Sequence, residues 1–115
     1  KALAHLCALA DYDTMIELGA MDGHGQHMTI PGLLPEMSPG EIAGAIAPRP
    51  QFVGLGEEDA LTPPAAVAKV RAEVEAAYRR AGHPEALEFF VQPGIGHWET
   101  PQMREKVLRF FRANL

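Results

Sequence analysis

The sequence predicts an α/β fold, a parallel sheet with helices wound onto both faces. Three observations predict it. Two short apolar runs, QFVGLG from Gln51 to Gly56 and LEFFV from Leu87 to Val91, have the continuity of strands buried on both sides. A long amphipathic stretch joins them, and a second follows. Strand, helix, strand is a crossover unit, so its strands should run parallel.

Each element has its own justification. Residues 1–48 form an irregular, partly helical lead-in, rich in Gly, Pro, Met and His. Within it, Lys1 to Ala10 is Ala-rich and reads as a helix. A second helix is expected over Tyr12 to Ala20, with Met15, Ile16 and Leu18 apolar and Gly19 as terminator. DGHGQHMTIPGLLPEM reads as a loop. Ser38 and Glu41 have capping-box spacing around Pro39, so a short helix starts there and stops at Pro48.

Residues 49–115 read as strand–helix–strand–helix. After the first strand, Thr62 precedes Pro63 and Pro64, a cap-plus-proline signal. Val67, Val70, Val74, Ala77 and Tyr78 then repeat on one helical face, and Gly82 and Pro84 end the helix. Thr100 and Pro101 repeat the start signal after the second strand. Met103, Val107, Phe110 and Phe111 form the buried stripe of the last helix.

The composition excludes little but points consistently. A length of 115 residues suits one domain, and the hydrophobic fraction of 47% can supply a core. The net charge of -5 gives no electrostatic reason to expect nucleic acid or an anionic membrane as partner. No apolar run approaches the ~20 residues of a membrane helix. The single cysteine, Cys7, excludes an internal disulfide and sits in an apolar context that suits packing. Compartment stays open.

In open parallel sheets, sites form just beyond the carboxyl ends of the strands. Asp59 follows the first strand there, and His97, in PGIGHWETP, follows the second. On one rim, a carboxylate bonded to one imidazole nitrogen would fix the tautomer and free the other nitrogen for proton transfer. Glu57 and Glu58 compete for the acid role, though the shorter Asp59 suits a rigid loop contact.

These residues carry a resemblance. VGLGEEDALTPP (Val53 to Pro64) and PGIGHW (Pro93 to Trp98), with IAPRP (Ile46 to Pro50) before them, resemble the carboxyl-terminal third of an α/β-hydrolase. IAPRP and GHWETP are similar to the dienelactone hydrolase and acetyl-xylan-esterase-like branch. The resemblance covers about residues 24–115 and is strongest from Ile46 onward. It implies that Asp59 is the catalytic acid and His97 the catalytic base. It implies a small-molecule ester substrate and no cofactor.

The nucleophile is not found in these residues. The only serine, Ser38, lies in Met37-Ser38-Pro39-Gly40, not in G-x-S-x-G. Cys7 lacks the flanking glycines of a strand-to-helix elbow. The family places its elbow upstream of everything in this sequence. The expectation is therefore a carboxyl-terminal piece of a single α/β-hydrolase domain, with an incomplete sheet and no esterase activity by itself. Pairing of two copies through that sheet stays open. Two alternatives are carried: a non-catalytic α/β module that binds or oligomerises, and a fragment of a prolyl-oligopeptidase-like serine peptidase.

Other residues are read plainly. His24 and His27 form H-x-x-H near His5 and Asp22, but on a glycine-rich loop without a helix to align two imidazoles. The reading is loop bonding or a pocket wall, not a metal site. Trp98 either lines a substrate pocket or buries its own loop. Met15, Met21, Met28, Met37 and Met103 are read as packing residues.

Overall fold

A computed structural model describes residues 1–25 and 30–115. Among these residues, three strands form one parallel sheet in the order β1-β2-β3: β1 (Leu3–Leu6), β2 (Gln51–Gly56) and β3 (Leu87–Gln92). Four α-helices accompany them: α1 (Tyr12–Glu17), α2 (Pro39–Gly44), α3 (Pro64–Arg80) and α4 (Pro101–Asn114). No helix among the described residues is long and apolar enough to cross a membrane.

The central strand is buried along its whole length because both of its faces are covered. Val53 and Leu55 point to one face, where they pack with Val70, Val74 and Tyr78 of α3 and Ala43 of α2. Phe52 points to the other, where it packs with Val107 and Phe110 of α4. Its ring lies 5.7 Å from that of Phe110. Burying each such valine or phenylalanine contributes about 1.5–3 kcal/mol. Strand β3 alternates in step: Phe89 and Val91 join the first cluster, Phe90 the second. This period of two splits one apolar run between two layers.

The amino-terminal segment corrects the sequence reading. Lys1 to Ala10 was expected to be helical, yet Leu3–Leu6 is a strand, in register with Gln51–Gly54. Parallel pairing to a buried strand outweighs the helix preference of alanine, which is only a few tenths of a kcal/mol per residue. The sheet thus has three strands where two apolar runs were recognised. The next helix, α1, ends at Glu17, short of the expected Ala20, and Asp11 caps it by accepting from the Thr14 N–H.

The caps are mixed in outcome. Ser38 forms the full capping box with Glu41 and also donates to Glu73 Oε2 of α3 at 2.5 Å. Thr100 caps α4 through the Met103 N–H, and its hydroxyl donates to Gln92 at the end of β3. Thr62 does not cap α3. Pro63 takes the cap position, and the buried Thr62 hydroxyl has no hydrogen-bond partner among the described residues. Two successive prolines displace the helix start by one residue, so the threonine falls outside it.

Tyr78 ties the second layer to the segment before β2. Its hydroxyl donates to the Arg49 carbonyl at 2.6 Å from a fully buried ring. Burial raises its pKa to about 12, against a lesser opposing influence of Arg49.

Candidate active site

The carboxyl ends of all three strands open on one rim, and three side chains converge there. Asp59 lies on the turn after β2, His97 on the loop after β3, and Cys7 directly after β1.

Asp59 is held from two sides. One carboxylate oxygen, Oδ1, accepts the Leu61 N–H at 2.9 Å, an Asx-type turn that fixes the side chain against its own loop. The other, Oδ2, lies 2.8 Å from His97 Nδ1. Asp59 is 1% exposed, whereas Glu57 and Glu58 are exposed. Of the three acids on this turn, only Asp59 is placed against the imidazole. A carboxylate can only accept here, so Nδ1 is the nitrogen that donates, and in the neutral ring this tautomer leaves Nε2 with a lone pair.

Backbone bonds stitch the two loops together. The Glu57 N–H donates to the Gln92 carbonyl and the Glu58 N–H to the Ile95 carbonyl, each at 2.9 Å. Gly56, the last residue of β2, makes that close approach practicable. A Cβ there would collide with the backbone carbonyls of Ile95 and Gly96. Gly94, at φ 70, supplies the left-handed turn that starts the histidine loop. These backbone features hold the two loops side by side, at the separation that the Asp59–His97 bond spans.

Cys7 is the rim residue that the sequence reading left out of the site. It has φ 52, uncommon for a residue with a Cβ. Its Sγ, an Asp59 carboxylate oxygen and a His97 ring nitrogen lie within 4.8 Å of one another. Burial, with the negative charges of Asp59 and Glu99, holds the thiol proton more firmly than usual. A strand reading of Leu3–Leu6 would have exposed this placement, because Cys7 then occupies the first position beyond a carboxyl end.

A cavity of about 230 Å³ adjoins His97 and Cys7 and is walled further by Tyr12, His24, Leu61 and Thr62. His24 thus stands at the pocket wall, and its buried Nδ1 has no partner among the described residues. The H-x-x-H reading also involves His27, which lies outside the described residues. His5 bonds Gln51 instead of joining them. Trp98 is 57% exposed, with its ring against Gly96, and is not among the residues around the cavity.

The fold and rim together define a small α/β unit whose parallel sheet presents a buried carboxylate bonded to an exposed imidazole. No protein-family model matches the chain. The chain is similar, at 33% identity over 112 residues, to the Bacillus subtilis (strain 168) protein named "Putative hydrolase YtaP". The match takes in 97% of this chain and 37% of that protein's length. The chain therefore spans little more than a third of the relative it matches.

Proposed function

We propose that this chain is the carboxyl-terminal part of a serine-type carboxylic ester hydrolase, and that Asp59 and His97 are its catalytic acid and base. The observation that carries the reading is the 2.8 Å contact between His97 Nδ1 and the buried Asp59 carboxylate on the sheet rim. The similarity to a protein named as a hydrolase supports the class, and the share of that protein left unmatched leaves room for a nucleophile elsewhere in the polypeptide.

In this reading, His97 Nε2 takes the proton of a serine hydroxyl as that oxygen attacks the ester carbonyl. The imidazolium then gives the proton to the departing alcohol, and water repeats the sequence on the acyl-enzyme. Asp59 holds the ring in the required tautomer and offsets its positive charge. The same reading assigns the oxyanion donors and the serine to a part of the polypeptide outside these 115 residues. Motifs IAPRP and GHWETP favour the dienelactone hydrolase and acetyl-xylan-esterase-like branch, and a small ester as substrate.

The test is turnover of a small aryl acetate by the complete encoded polypeptide and by the 115-residue stretch. The complete chain should hydrolyse it and lose that activity in His97→Ala. The stretch by itself should not. Equal turnover in wild type and His97→Ala would refute the assignment.

A further inference from the structure

Ester hydrolysis as proposed makes no use of Cys7, yet the fold spends an uncommon backbone conformation to place its side chain beside Asp59 and His97. Thiolate, imidazole and carboxylate are the three donor types that zinc takes in proteins, and thiolate with imidazole disfavours magnesium and calcium. The three donor atoms lie within 4.8 Å of one another. Bond lengths of about 2.0–2.3 Å set tetrahedral donor–donor edges of roughly 3.3–3.8 Å, so closure needs shifts of about 1 Å.

The site can supply those shifts. The His97 side chain is 46% exposed, which leaves solvent-side space for the ring to shift, while Asp59 is anchored by the Leu61 N–H. Asp59 and Glu99 bring negative charge towards the sulfur, a field that suits a cation. The cavity bordered by Cys7 and His97 has room for a solvent ligand in the fourth position.

We infer that Cys7, Asp59 and His97 form a binding site for a borderline-soft divalent cation of the zinc type, closed by solvent. On binding, the thiol proton leaves to solvent and the imidazole coordinates as the neutral ring. Occupancy ties up the His97–Asp59 pair. Its consequence, inhibition of ester turnover, rests on the function proposed above, but the binding does not.

Cobalt(II) is the probe, titrated into the metal-free complete polypeptide. The expected result is a saturable thiolate-to-cobalt charge-transfer band in the near ultraviolet, with intense tetrahedral bands in the visible, all displaced by zinc. Cys7→Ala should abolish the charge-transfer band and weaken zinc at least ~10-fold, since even an outer partner of a metal ligand is worth that much. His97→Gln should weaken zinc similarly, and Glu57→Gln, at an exposed acid, should not. Far-ultraviolet circular dichroism establishes that each variant is folded. No saturable band in the wild type, or a band that survives Cys7→Ala, overturns the site. Turnover by the metal-free polypeptide with no band on adding cobalt sinks the metal site alone, and a band with cobalt but no turnover by the metal-free polypeptide sinks the hydrolase reading alone.

Discussion

Asp59 shows how one residue is selected from three. Glu57, Glu58 and Asp59 are adjacent acids, but only Asp59 turns its carboxylate inward, held by the Leu61 N–H and by His97. If it orients a catalytic imidazole, Asp59→Asn in the complete polypeptide should lower kcat by about 10⁴-fold, as loss of the orienting acid does in a Ser–His–Asp site. Glu57→Gln should leave kcat unchanged. Steady-state kinetics of both variants check this. Tyr78 carries a prediction of stability. Its hydroxyl bond to Arg49 is worth about 1 kcal/mol, which Tyr78→Phe should remove. The folded pKa of about 12 exceeds the ordinary value near 10. The native state therefore keeps a proton that the unfolded chain sheds, and this contribution is present below pH ~10 and lost as pH rises towards ~12. Thermal melts of wild type and Tyr78→Phe across that range should show the loss in wild type only.

Among the elements, those legible in the sequence were the ones with strong local signals. Gln51–Gly56 and the strand from Leu87 were marked by continuous apolar runs, and α2 and α4 by Ser38 and Thr100 before prolines. Leu3–Leu6 was not legible, because KALAHLCALA has helical composition and becomes a strand through pairing with residues far along the chain. Thr62 misled for the opposite reason. Its local signal was right in type, and a second proline moved the helix start past it. At the site, the rim rule brought out Asp59 and His97 but not Cys7, since the strand that positions it had been taken for a helix. Gly56 is the element-scale test. Gly56→Ala sets a Cβ against the carbonyls of Ile95 and Gly96 and must displace the histidine loop. The complete polypeptide should stay folded by circular dichroism and lose at least ~100-fold in kcat, the scale expected when a catalytic group is misplaced by about 1 Å.

At the scale of the molecule, the three strands leave β1 and β3 as edges. Beside β1 lies an apolar hollow lined by Leu9, Ile30, Leu33, Leu34, Ile42 and Ile46. Unpaired parallel edges next to apolar surface are templates for further pairing. The 115-residue stretch should therefore self-associate with rising concentration and, if it is the carboxyl-terminal part of a longer chain as proposed, extension with the preceding residues should suppress this and raise Tm. Sedimentation velocity and thermal melts of both forms read the difference. A monodisperse monomer at all concentrations would argue that the hollow and edge need no cover.

The central claim is that the Asp59–His97 pair serves a nucleophile carried upstream on the same polypeptide. A fluorophosphonate, which reacts covalently with an activated serine, tests it most directly, with the modified residue located by mass spectrometry. The account predicts one adduct on a serine preceding Lys1, formed in wild type and suppressed in His97→Ala. An adduct that forms equally well in His97→Ala, or one on Ser38, would contradict it.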